Sequence, residues 1–78
     1  MARIIDNEEK NLVGKKIKQL RKEKRMSQQE LSARLETLAI YICRGSISRI
    51  EEQKRTVTDI ELLGLSQVLS TPVEEFFK

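Results

Sequence analysis

Histidine is missing from this chain, cysteine and proline occur once each, and there is no tryptophan, one tyrosine and two phenylalanines. Each shortage closes off a class of function. Without histidine, and with Cys43 as the only thiol, the commonest metal ligands, bases and nucleophiles are gone. No glycine-rich phosphate loop is present either, so no catalytic residue, metal or cofactor is expected, and the chain does not read as an enzyme. A single cysteine rules out an intramolecular disulfide and makes a reducing cytosol the natural compartment. No apolar run approaches membrane-spanning length, and Met1 to Ile5 has no signal-peptide h-region. The expectation is a soluble, cytoplasmic protein. Its 78 residues make one small domain, residues 1–78, near the lower end of what folds without disulfides or metal.

Charge, by contrast, is plentiful and unevenly placed. The net charge is +3, but Met1 to Arg25 carries nine Lys or Arg against four acids, leaving −2 for the remainder. A basic end on a slightly acidic remainder favours a polyanion on one face, although a charge run is more often a solvated helix face.

With one proline, three glycines and no sustained alternation, the periods that remain are helical. Val13, Ile17, Leu20 and Lys24 predict a first helix that buries a narrow stripe ending in a lysine stem. Asp6 or Asn7 is its expected start, and Glu23 or Lys24 its end. Ser27-Gln28-Gln29-Glu30 has capping-box spacing, in which the serine hydroxyl and the glutamate carboxylate each accept from the other's backbone amide. Behind it, Leu31, Leu35, Leu38 and Ile42 continue one apolar face. That predicts an unusually long second helix, reaching at least Leu38 and as far as Ala39 or Ile40. A third helix is expected from Arg44 or Gly45, burying Ile47, Ile50 and Glu51 and turning Gly45, Ser48, Arg49 and Glu52 outward. Thr58-Asp59-Ile60-Glu61 predicts a second capping box, opening a helix with Ile60, Leu63, Leu65, Val68 and Leu69 for the core. Thr71-Pro72-Val73-Glu74 predicts a third, with proline at the first helical position, opening a short helix that carries Phe76 and Phe77. The sum is an all-α domain of five helices.

The compound pattern Ser27-Gln28-x-x-Leu31-Ser32, Ile47-Ser48-x-Ile50-Glu51 and Lys54-Arg55 resembles the Xre family of helix-turn-helix DNA-binding domains, which includes the lambda-type phage repressors and Cro. Leu69 with Thr71 to Phe77 is similar to that family's closing helix, so the resemblance spans roughly Val13 to Phe77. It implies a compact five-helix, lambda-repressor-like domain with the helix-turn-helix at approximately residues 27–53. Helix three would enter the major groove of double-stranded DNA, with the amino end of helix two on the phosphate backbone. Carried over residue by residue, the resemblance puts Gln28 on a phosphate, Arg44, Gly45 and Arg49 at base edges, and Lys54 and Arg55 on phosphates in the loop after helix three. Gly45 and Ser46 are small enough for close approach, Ser48 can bond a base or a phosphate, and arginine presents a planar fork to guanine O6 and N7. The resemblance also implies that Arg21 pairs with Glu51, whose inward carboxylate would be costly alone. The chain departs from the family in roughly five extra residues around Glu36 to Ile40. They read as an extension of helix two, with the turn insertion continuing to a connection that ends near Arg44 and offers Tyr41 and Ile42 as a contact surface. Gln53 stands where the family has glycine, and Val57-Thr58 where it has proline.

Blander readings stand beside these. Arg49 also fits a surface arginine paired with Glu52 or Glu30, and Lys54-Arg55 fits a solvated loop. Cys43 reads as a small buried hydrophobe before a redox sensor. Tyr41 and Phe76-Phe77 read as core or dimer contacts. The expected function is a sequence-specific, DNA-binding transcriptional regulator, nucleoid-associated when bound, with no small-molecule substrate and no membrane partner. A lone reader of this size covers few base pairs, so a homodimer is expected. The alternative is a protein-binding helical module or antitoxin-like adaptor of the same fold, suggested by Glu51-Glu52 and the apolar insertion.

Overall fold

Four α-helices, α1 (Gly14–Glu23), α2 (Gln28–Glu36), α3 (Arg44–Glu51) and α4 (Asp59–Val68), precede one 3-10 turn, Val73–Phe77, in the computed structural model, which describes residues 9–78. Among the described residues there is no strand, and no helix is long and apolar enough to cross a membrane. α3 packs on both α1 and α2, α4 on α2, and the 3-10 turn closes over α1 and α4. Ile17, Leu31, Leu35, Ile47, Ile50, Leu65, Leu69 and Phe76 are fully buried at the centre. Burial of each such side chain is worth about 1.5–3 kcal/mol as an upper figure.

Two helix starts follow from local sequence. Ser27 Oγ accepts from the Glu30 amide at 3.0 Å while the Glu30 carboxylate accepts from the Ser27 amide at 3.3 Å. Thr58 and Glu61 form the same reciprocal pair at the head of α4. α1 starts otherwise. Asp6 and Asn7 lie outside the described residues, and residues 9–13 are not helical, so the helix starts later than predicted. The side-chain oxygen of Asn11 accepts from the Val13 and Gly14 amides at 3.1 and 2.7 Å, satisfying donors that the first turn leaves open. The buried stripe then runs through Arg21, and Lys24 is exposed rather than covering the end of the stripe.

All four α-helices end alike. Arg25, Ala39, Gln53 and Ser70 have φ of 54°, 61°, 62° and 50°, while none of the three glycines has positive φ. Each left-handed residue is followed by a backbone bond that closes the helix: Met26 to Arg21, Ile40 to Leu35, Lys54 to Arg49 and Thr71 to Ser66, at 2.8–3.1 Å. This is the Schellman arrangement, built here in residues that each pay about 1–2 kcal/mol for the left-handed backbone.

The second of these exits corrects the predicted long helix two. α2 ends at Glu36, and the extra residues form a connection, 37–43, that reverses at Ala39. Reversal seats Ile40 beside Leu35, with the Ile40 side chain where a Cβ on Gly64 would otherwise be and Leu35 in close contact with that place. Ile42 is buried, but Leu38 is left 41% exposed, so the apolar stripe read from Leu31 to Ile42 is interrupted. Two expectations for the carboxy-terminal part also change. Ile60 and Leu63 face solvent at 67% and 55% exposure, because α4 buries the side bearing Gly64, Leu65 and Leu69. The third capping box does not form: Thr71 Oγ1 donates to the Leu69 carbonyl, Pro72 precedes the helical residues, and the closing element is 3-10. Phe76 is buried and Phe77 exposed.

Candidate nucleic-acid interface

The surface built around α3 begins with what holds that helix still. Ile47 and Ile50 are buried, and Glu51 beside them points into the protein. Arg21 meets it with two prongs, Nε on Oε2 at 2.7 Å and Nη2 on Oε1 at 3.0 Å, while its third nitrogen, Nη1, donates to the Met26 carbonyl at 2.8 Å. The two side chains are 10% and 2% exposed. Gln28 Nε2 donates to the same Oε1 at 3.1 Å, so α1, α2 and α3 converge on one carboxylate. A buried charge without such partners would be expensive.

The far end of α3 is pinned as well. Asn11 Nδ2 donates to the carbonyls of Ile50 and Arg55 at 3.1 and 2.7 Å, and Gln53 Nε2 donates to the Asn11 carbonyl at 3.1 Å. Gln53 thus keeps the left-handed exit while tying the following loop to the start of α1. At the near end, Ser32 Oγ donates to the Ile42 carbonyl at 2.6 Å and fixes the approach to Arg44. Asn11 does not figure in the sequence reading, and Ser32 figures there only as part of the family pattern, without this bond. The position of Asn11 just ahead of Leu12 and Val13 was the available signal for its cap. Nothing local announces the bond from Ser32.

Held this way, α3 turns Arg44, Gly45, Arg49 and Glu52 to solvent and leaves Ser46 and Ser48 half-buried. A Cβ on Gly45 would meet nothing within 4 Å, so the helix surface there is open to close approach. Among the described residues neither Arg44 nor Arg49 forms an ion pair, and in particular Arg49 does not pair with Glu52 or Glu30. Lys54 is exposed, likewise without an ion pair there. The amino end of α2 lies next to Arg44: Ser27, Gln28, Gln29, Arg21 and Arg44 line one shallow cleft.

Two of the sequence-selected cationic or amide side chains are already engaged. Gln28 is half-buried on Glu51. The fork of Arg55 closes on both carboxylate oxygens of Glu61 at 3.0 and 2.9 Å and also donates to the Thr56 carbonyl. That bond to Arg55 holds the Glu61 carboxyl below its ordinary pKa, with the amide and hydroxyl of Thr58 acting in the same direction. Cys43, expected to be buried, is instead exposed at the N-cap of α3. Its Sγ lies 3.4 Å from Ser46 Oγ, and the Ser46 hydroxyl together with the Ser46 and Gly45 amides lowers the thiol pKa. Among the described residues, no cluster of acids or Cys is placed to hold a metal.

α2, the connection 37–43 and α3 therefore present an open, small-residue helix face with arginines on it, backed by a buried polar anchor. A family model described as Helix-turn-helix matches residues 17–76. No curated protein matches the chain.

Proposed function

The chain belongs to the Xre and lambda-repressor-like helix-turn-helix family, a family of DNA-binding domains, and on that premise we propose that it is a cytoplasmic, sequence-specific transcriptional regulator that reads the major groove of double-stranded DNA with α3. One observation carries this reading above the others. The solvent-exposed surface of α3 offers Arg44 and Arg49 without a carboxylate partner among the described residues, next to Gly45 with open space over it, while no buried side-chain polar atom among the described residues lacks a hydrogen-bond partner. A helix anchored from behind brings such side chains to base edges without ordering its backbone on binding.

The neighbouring elements also offer phosphate contacts. The first amides of α2 and the positive end of its dipole suit a phosphate, and Lys54 supplies a mobile charge in the loop after α3. Gln28 and Arg55 serve this reading first by holding α3 and its loop in place through Glu51 and Glu61, each keeping a further N–H that a phosphate could take.

The regulator acts as a homodimer. Leu38, Ala39, Ile40, Ile60, Leu63 and Gly64 line a shallow groove with Gln67 as its one polar residue and no charge. An apolar surface of that kind can face its own copy across a two-fold axis, as a paired half-site requires. The same groove favours a second reading, a helical module whose partner is another protein.

Selection of bound duplexes from a random pool at near-physiological salt, with sedimentation of the selected complex, separates the two. Two inverted half-sites carrying two chains support the dimeric regulator. Binding without sequence preference, lost as salt rises, refutes it and favours the protein-binding module.

A further inference from the structure

We propose that the two free arginines of α3 divide the work, Arg49 reading a guanine in each half-site and Arg44 holding a backbone phosphate; this rests on the DNA-reading role proposed above. The family resemblance assigns both arginines to base edges, and the fold separates them. Counting round the helix from the middle of the buried Ile47, Ile50 and Glu51 side, Arg49 lies about 150° away and Arg44 only about 70°. Arg49 therefore projects from the side farthest from the protein, the side that goes deepest into a groove. Arg44 stands on the flank that faces α2.

The surroundings of each agree with that division. Arg49 shares its side of the helix with Gly45, which presents no side chain, and with Ser48, which is short and half-buried. Gly45 leaves that end of the helix open to come close enough for a guanidinium to meet O6 and N7 of guanine with two parallel bonds, Glu52 being the exposed acid at the other end of the same side. Arg44 shares its cleft with Ser27, Gln28 and Gln29. Those neighbours belong to α2, which crosses outside the groove in a helix-turn-helix complex, so the anion within reach of the flank is a phosphate.

The chain's own pairing sharpens the assignment. Arg21 and Arg55 have their forks closed on Glu51 and Glu61, which removes them from base reading. Glu52, exposed one turn beyond Arg49, does not bond it, so the Arg49 fork is not spent within the protein. One arginine per protomer is thus both unpaired and outermost on α3. The half-site is keyed by a single dominant guanine.

The test is selection from a random duplex pool with the full chain and with Arg49→Ala, Arg49→Lys and Arg44→Ala, followed by titration of the winning site over a range of salt. The expected result is an enriched motif with one guanine whose preference falls at least about tenfold in Arg49→Ala. Arg49→Lys keeps the charge and is expected to retain non-specific affinity while losing most of that preference. Arg44→Ala is expected to keep the motif, to weaken cognate and scrambled duplexes alike, and to reduce the salt slope by about 1. A motif without the guanine, a guanine preference that survives Arg49→Ala, or a base preference lost in Arg44→Ala overturns the division. If the unaltered chain enriches no motif, the DNA-reading role itself fails and this inference with it, an outcome distinct from the other three.

Discussion

Gly14 and the carbonyl oxygen of Ile50 lie so close that a Cβ on residue 14 would overlap that oxygen. This is where α1 crosses the end of α3, and the oxygen cannot step aside cheaply. It belongs to the backbone and accepts from Asn11 Nδ2 and from the Gln53 amide at 3.1 and 3.0 Å. Gly14→Ala is therefore expected to destabilise the fold by about 1–3 kcal/mol, the usual cost of forcing volume into a packed contact. A urea titration measures it. An alanine variant with the midpoint of the unaltered protein would show that the two helices do not need their close approach.

Glu51→Gln changes one atom and leaves the Arg21 guanidinium buried without its counter-charge. The pair itself adds little net stability, but loss of one partner is expected to cost about 3–5 kcal/mol, seen as a large drop in melting temperature. Because Gln28 bonds the same carboxylate oxygen, the variant should also loosen α2 against α3 and weaken DNA binding at temperatures where it is still folded. An unchanged melting temperature would remove the ion pair from any account of how α3 is held.

Between Arg55 and Glu61 the effect is one of pH. The carboxyl of Glu61 has an ordinary pKa of 4.5 and is lowered in the fold, chiefly by the hydrogen bonds from Arg55. A depressed carboxylate pKa stabilises the folded state at pH above the ordinary value, and the contribution is lost as pH falls below about 4.5 through the folded value. Glu61→Gln is accordingly expected to show less acid sensitivity than the unaltered protein between pH 5 and 3, with a lower stability at pH 7. Parallel stability curves for the two across that range would contradict the assignment.

Much of this architecture can be read from short-range chemistry. The boxes at Ser27–Glu30 and Thr58–Glu61 involve groups three residues apart, so local sequence states them fully. The limits of α3 and its buried Ile47, Ile50 and Glu51 follow from a helical period with no competitor nearby. Where prediction and structure part, the deciding contact is distant in sequence. Ala39 turns left-handed because Ile40 finds its place against Leu35 and Gly64, and the apolar spacing from Leu31 to Ile42 carries no trace of that reversal. α1 starts at Gly14, behind Asn11, whose side chain caps the first turn and also reaches the carbonyls of Ile50 and Arg55, some forty residues on. The arginines are the sharpest case. Sequence marks Arg44, Arg49 and Arg55 alike as DNA contacts, and only the fold shows that Arg55 already faces Glu61.

The left-handed exits at Arg25, Ala39, Gln53 and Ser70 bear on how such a reader can change its target. Gln53 is engaged through its bond to the Asn11 carbonyl, but glycine would sit at Arg25, Ala39 and Ser70 without the penalty that the present side chains carry, so the scaffold holds unused reserves of stability at three places. None of those places belongs to the outward side of α3. Substitutions at Arg44 to Arg49 that alter which bases are preferred, and loosen the domain in doing so, can be compensated at the helix exits without disturbing the reading surface. Under the base-reading role proposed for α3, specificity and robustness are separately adjustable in this chain, and that helix is free to drift.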